Sequence, residues 1–352
     1  MTFRWYGEGN DSITPQQIKQ IPGVNGLVWA LHSKQAGEVW EVEEIEEARR
    51  QIEGAGFNMD VVESVNVHDD IKIGLPSRDK YIENYKTTLR NLAKFGVKVV
   101  TYNFMPIFDW TRTDLFHPLP DGSTALFYEK SKIQDDYKEM ANYILNNLHG
   151  LTFPGWEPER LGKVKDLFAA YEGVSAEKLF DNLVYFLKAI MPVCNQYDIK
   201  MAIHPDDPAW PVFGLPRIIT NKENIHKMMR AVDDPHNGLT LCTGSLGTDL
   251  NNDLPDIIRS LPGRIHFAHV RNLHHFAPGV FEEAAHLSSD GSFDMYEIMK
   301  ALHDIHFEGP IRPDHGRTVW GEVCMPGYGL YDRAMGATYL NGLWEAICKS
   351  SK

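Results

Sequence analysis

The amino-acid sequence predicts a single (β/α)8 barrel, a TIM barrel, across residues 1–352. Three observations carry this reading. Eight short apolar runs of β type recur along the chain, helical patterns fall between them, and polar side chains collect where the runs end. An open doubly wound sheet is the alternative topology.

The first four runs are FRWYG (3–7), VNGLVWALH (24–32), NMDVVESV (58–65) and VKVVTYNF (97–104). IKMAIHP (199–205), GLTLCTG (238–244), RIHFAHVRN (264–272) and GPIRPDHG (309–316) complete the set. Several are nearly continuous in Val, Ile and Leu, the composition of parallel strands covered on both faces. Helical spacing is clear in 176–194, where Leu179, Leu183, Phe186, Leu187, Ile190 and Met191 fall on one stripe. In 42–54 the i,i+4 pair Glu46 and Arg50 suits a solvated helix face. Residues 78–95, 131–147, 222–232, 249–261, 292–307 and 331–348 also read as helices. Gly54, Gly56 and Gly96 stand near helix ends, where a left-handed terminating residue is wanted.

Two connections, 104–130 and 205–221, are too long for turns and are rich in aromatic residues and proline. With 149–175 they form insertions at the C-terminal rim, of the kind that covers a site or makes an interface. A homodimer is expected from them. NLHHF (272–276) reads as a polar loop. GYGLYD (327–332) has Asp332 where a dinucleotide fingerprint needs its third glycine, and it opens a helix instead of following the first strand. It reads as a turn that presents Tyr328 over the rim.

A formal charge of −13, from 48 acidic and 35 basic residues, argues against nucleic acid or an anionic membrane as partner. Four cysteines, Cys194, Cys242, Cys324 and Cys348, are too few for a disulfide framework in a chain of this length. MTFRWYGEGNDS has neither the basic start nor the apolar run of a signal peptide. No apolar stretch approaches the roughly 20 residues of a membrane span. The expectation is a cytoplasmic protein with reduced thiols.

Parallel barrels carry their active sites at the C-terminal strand ends. Those ends read His32, Glu63, Asn103, His204, Cys242, His269 with Arg271 and Asn272, then Asp314 with His315. Four of them, His204, Cys242, His269 and Asp314, come from four successive strands and make a plausible ligand set for a divalent ion. Each has a duller explanation alone. A single Cys is most often a small buried apolar residue, a strand-end His is more often hydrogen-bonded, and an Asp can cap a helix. Arriving together at one rim, they point to metal. His266 competes with His269, but three positions apart the two face opposite ways on a regular strand, and His269 is nearer the rim. Thiolate and imidazole suit Zn²⁺, while a carboxylate with open positions also suits Mn²⁺ or Fe²⁺.

MTFRWYG, IHPDDP, CTGSLG, HFAHVRN and RPDHGR together resemble the mannonate dehydratase family of hexuronate degradation, from end to end of the chain. The resemblance implies a barrel related to xylose isomerase, with Mn²⁺ or Fe²⁺ held by His204, Cys242, His269 and Asp314. It implies loss of water from D-mannonate to give 2-dehydro-3-deoxy-D-gluconate. Such a reaction needs a base for the C2 proton and an acid for the departing C3 hydroxyl. His315, beside a ligand but free of the metal, is the leading proton carrier, and the resemblance adds Tyr328. Arg271, Asn103, His32 and Asn272 are the candidates for holding the carboxylate and hydroxyls. Three rivals stand beside this reading: a metal-dependent sugar isomerase of the same superfamily, a metal-dependent endonuclease barrel, and a non-catalytic sugar or metal binder. The isomerase is disfavoured by the Cys ligand, the endonuclease by the acidic charge, and the binder by the proton carriers.

Overall fold

The computed structural model describes residues 1–133 and 164–350. In chain order the first six strands are β1 (Thr2–Arg4), β2 (Gly26–Trp29), β3 (Asn58–Glu63), β4 (Val99–Tyr102), β5 (Asp114–Pro118) and β6 (Thr124–Glu129). They are followed by β7 (Lys200–Ile203), β8 (Asn237–Cys242), β9 (Ile265–His269), β10 (Asn272–Ala277), β11 (Val280–Ala284) and β12 (Ile311–Arg312).

Eight of these form one sheet in the order β1-β2-β3-β4-β7-β8-β9-β12, with every neighbouring pair parallel. Each of the eight apolar runs supplies one of them. The two ends of the sheet meet where Thr2 Oγ1 donates to the Ile311 carbonyl at 3.0 Å, so the sheet curls into a nearly closed barrel. Val28, Val61, Val99, Ala202 and Phe267 pack as one cluster within it. A larger cluster lies between sheet and helices, where Leu179, Leu183, Phe186, Leu187 and Ile190 of helix Ala176–Tyr197 are fully buried. Among the described residues, no helix is long and apolar enough to cross a membrane.

Local departures from the sequence reading have simple causes. On helix Val42–Gly54 the ion pairs are Arg49 with Glu46 and Arg50 with Glu47 at i,i+3 and Arg49 with Glu53 at i,i+4, in place of Glu46 with Arg50. Gly56 and Gly96 take the left-handed conformation, whereas Gly54 stays inside the helix. The helix expected over 131–147 lies almost wholly outside the described residues, as does much of 149–175, which is seen from helix Val164–Tyr171 onward. NLHHF is not a loop but strand β10. It pairs antiparallel with β11, and β11 in turn pairs with β6 of segment 104–130. The result is a second, four-stranded sheet in the order β10-β11-β6-β5. Strand character here comes from pairing with distant partners, which local polarity hides.

The connection after β7 has no regular structure, yet its backbone is tied down by one carboxylate. Asp206 Oδ2 accepts the Ile218 and Ile219 N–H groups, both at 2.7 Å, and Arg217 lies 3.6 Å from Oδ1. Asp206→Ala leaves two buried donors unpaired, and urea denaturation should show a loss of about 2–4 kcal/mol. A loss under about 0.5 kcal/mol would mean that the loop is held by something else.

Candidate active site

The ends of β7, β8, β9 and β12 bring His204, Cys242, His269 and Asp314 together. The ligand atoms of His204, Cys242 and His269 all lie within 4.8 Å of one another. Cys242 Sγ is 3.5 Å from Asp314 Oδ2, and His269 Nδ1 is 3.6 Å from Asp314 Oδ1. Asp314 adopts a left-handed backbone, φ 62°, which turns the chain back over the rim directly after β12.

Several details fit this set to a divalent cation. His204 Nδ1 sits 2.8 Å from the Pro205 carbonyl, so that nitrogen carries the proton and Nε2 keeps a lone pair. Cys242 Sγ accepts from the Ser245 N–H at 3.3 Å and the Ser245 hydroxyl at 3.0 Å, which hold the sulfur in place at the rim. His269 Nε2 and Glu63 Oε2, 3.3 Å apart, are buried without a hydrogen bond among the described residues. The strand is also less regular than alternation assumes. β9 skips a residue in its pairing with β8, with Leu239 opposite Ile265 and Thr240 opposite Phe267. His266 falls in that irregularity, packed against Gly238 and away from the cluster.

Around the cluster runs a lattice of buried charges. Arg271 pairs with Asp207 at 2.7 Å, Glu283 at 2.6 Å and Asp314 at 3.0 Å. Arg112 pairs with Asp207 at 2.7 Å and Glu283 at 2.8 Å. Arg312 pairs with Glu63 at 2.9 Å and Asp314 at 2.8 Å. Burial alone would raise the carboxyls of Glu63, Asp207, Glu283 and Asp314, but the guanidinium charges outweigh it and hold all four below the usual range. Gly244 is required here, because a Cβ at that position would collide with the Arg271 guanidinium.

His315 and Tyr328 touch directly, with Nε2 2.9 Å from the phenol oxygen. His315 Nδ1 is 3.2 Å from Glu283 Oε1 and against Arg271 Nη1. Burial, then the Arg271 charge, lowers the His315 pKa. Burial, with Tyr6 beside it, raises that of Tyr328 well above the ordinary phenol. At neutral pH the imidazole is therefore uncharged and the phenol protonated.

One cavity exposes His204, Asp314, His315 and Tyr328, together with His32, Asn103 and Arg271. Burial, then Arg4, pushes His32 down to about 3, so it is neutral. Asn103 Oδ1 also receives the Met105 N–H at 3.2 Å. Asn272 is not part of the cavity. Its amide bonds the Leu287 carbonyl at 3.0 Å and the Leu273 and Phe293 N–H groups at 3.0 and 3.1 Å, so it fastens β10 in place. Arg271 reaches the cavity wall with its charge already divided among three acids. Sequence reasoning gave no role to Arg4, Arg312, Glu63, Asp207 or Asp109, although strand-end position singles out the first three. Glu283 comes from β11 of the second sheet and Arg112 from the segment leading into β5, and neither carries a local signal.

The whole chain, residues 1–352, matches the family model described as D-mannonate dehydratase (UxuA). The chain belongs to the D-mannonate dehydratase family. Mannonate dehydratase of Brachyspira hyodysenteriae is 62% identical over 353 residues, covering 100% of this chain and 99% of the relative. That of Thermotoga maritima is 58% identical over 355 residues, with the same coverage. Among solved structures, mannonate dehydratase from Streptococcus suis serotype 2 superposes with a TM-score of 0.88 at 45% identity, over 100% of this chain and 95% of that one. A xylose isomerase domain protein from Planctomyces limnophilus shares the fold alone, with a TM-score of 0.56 at 11% identity over 99% of this chain and 98% of that one. These likenesses agree with the barrel and with the family resemblance read from the motifs.

Two outcomes follow from this geometry. Cys242→Ser replaces a soft ligand with a hard one and should weaken retention of a bound divalent metal on the order of tenfold or more, read by competition with a chelator. Unchanged retention would remove Cys242 from the ligand set. The second concerns Asp109 at the cavity wall, whose carboxyl burial pushes up to about 6 from 3.8. Across that window the unfolded chain releases a proton that the folded chain keeps, so this group's contribution falls as pH rises and stays low above it. Asp109→Asn should therefore gain Tm relative to the parent between pH 4 and pH 7, and a flat difference would contradict the shift.

Proposed function

We propose that the protein dehydrates D-mannonate to 2-dehydro-3-deoxy-D-gluconate and water. The observation that carries this reading is one cavity in which the contacting pair His315 and Tyr328 stands beside the cluster of His204, Cys242, His269 and Asp314. Dehydration breaks a C2–H bond next to a carboxylate, which is very weakly acidic, and then a C3–O bond. A metal bound by the four ligands, Mn²⁺ or Fe²⁺, would act as a Lewis acid toward the negative charge that develops on the carboxylate oxygens. Zn²⁺ also suits the donor set.

His315, uncharged at neutral pH, takes the C2 proton. The electron pair of that bond moves toward the carboxylate, and the C3 hydroxyl leaves as water with a proton from Tyr328. The resulting enol becomes the 2-keto acid by returning a proton to C3. Tyr328 suits the acid because its environment keeps the phenol protonated, and its contact with His315 lets the pair exchange the proton afterward. The charged lattice fixes both groups, which leaves little rearrangement for the reaction itself. Four free cysteines suit a reducing compartment such as the cytoplasm, and the aromatic rim segments suit a homodimer.

Stripping metal with chelator should abolish formation of the 2-keto-3-deoxy acid from D-mannonate, and Mn²⁺ should restore it. If the restored enzyme isomerises an aldose and leaves D-mannonate untouched, the dehydratase reading fails. His315→Asn should keep its metal and lose on the order of 10²–10⁴-fold in kcat. Near-normal turnover would exclude it as the base.

A further inference from the structure

We infer that Arg312, supported by Arg4 across the seam of the barrel, is the residue that anchors the substrate's carboxylate. This rests on the dehydratase reading only for the class of substrate, an aldonate whose single anionic group is that carboxylate.

Two of the arginines on the cavity wall are already used. Arg271, the nearest choice by sequence, has Nη1 on Glu283 and Nη2 on Asp207, and its Nε faces Asp314 Oδ2 at 3.0 Å without a hydrogen bond among the described residues. Arg4 is spent as well. Its Nη1 donates to the Val28 carbonyl at 3.2 Å, its Nη2 meets His32 Nε2 at 3.2 Å, and its guanidinium lies 4.4 Å from the centre of the Tyr6 ring. Arg312 differs. Glu63 and Asp314 both meet it through Nη2, while Nη1 and Nε are buried and have no hydrogen-bond partner among the described residues. The side chain is 2% exposed and lines the cavity with Arg4, Tyr6 and Tyr328.

A guanidinium has five N–H donors and no way to shed its charge, so unused buried donors are costly until an acceptor arrives. The neighbouring acids and His269 meet the other nitrogen, and an acceptor entering from the cavity would complete the guanidinium. Position agrees with this. Arg4 closes β1 and Arg312 closes β12, the two strands bridged by Thr2 and Ile311. Their charges therefore face the same end of the cavity as Asp314 and Tyr328. There the carboxylate of an aldonate would put C2 near His315. When the C2–H pair moves into the carboxylate, its oxygens gain charge, and a fixed guanidinium gains interaction with them. Arg312 thereby serves binding and the transition state together.

The test compares D-mannonate with mannitol, the same carbon chain without a carboxylate, by calorimetry on the Mn²⁺-loaded enzyme, with metal per chain measured for every variant. The parent should prefer D-mannonate strongly. Arg312→Gln should cut that preference on the order of 10- to 100-fold at full metal occupancy, and Arg312→Lys should restore part of it. The inference is overturned if Arg312→Gln weakens both ligands equally, if the preference survives, or if the loss disappears once metal is replenished. D-mannonate that binds with an Arg312-dependent preference and is not dehydrated would sink the catalytic reading and leave the anchor standing.

Discussion

A single buried guanidinium organises this site. Arg271 is 1% exposed and is met by three carboxylates, one from the connection after β7, one from β11 and one from the turn after β12. Charges this deep are tolerable only when each is faced by an opposite charge in good geometry. The alternation continues outward through Arg112 and Arg312, so each of these charges faces an opposite one, while Arg312 keeps two nitrogens without a hydrogen-bond partner among the described residues. That requirement explains why segment 104–130 is ordered. Without Arg112, which donates to both Asp207 and Glu283, two acids would be left short of a partner.

The same lattice divides the cavity into two regimes. On the side of β9 and β12 the acids are ionised and held by arginines, which suits metal binding and the management of negative charge. Elsewhere along the wall, His32 is neutral and the Asp109 carboxyl is raised toward neutral pH. Groups of that kind can hydrogen-bond the hydroxyls of a polyol without drawing its carboxylate away from the reacting end.

What the sequence reveals follows from how directly a barrel converts order along the chain into position. Residues at strand ends share one rim, so His204, Cys242, His269, Asp314 and His315 are legible as a group from the sequence, whereas Tyr328, well beyond β12, enters through its turn and the family resemblance. Side-chain partnerships are not legible in that way. Arg271 and Asn272 follow His269 closely, yet one is consumed by acids and the other by its own backbone neighbourhood. Arg112 and Glu283 stand 171 positions apart, and their pairing depends on the second sheet, whose polar strand β10 reads as a loop when seen alone. The skipped residue in β9 is invisible for the same reason, since it arises from pairing with β8.

The seam between β1 and β12 has a consequence in time. A polypeptide emerging from the ribosome releases His204 and Cys242 well before Asp314, and the seam cannot form until β12 has been made. Until then the thiol lacks its neighbouring carboxylate and Arg4 lacks the strand that sets it beside Arg312. The meeting of His204, Cys242, His269 and Asp314 in one cluster is thus an event of the finished polypeptide.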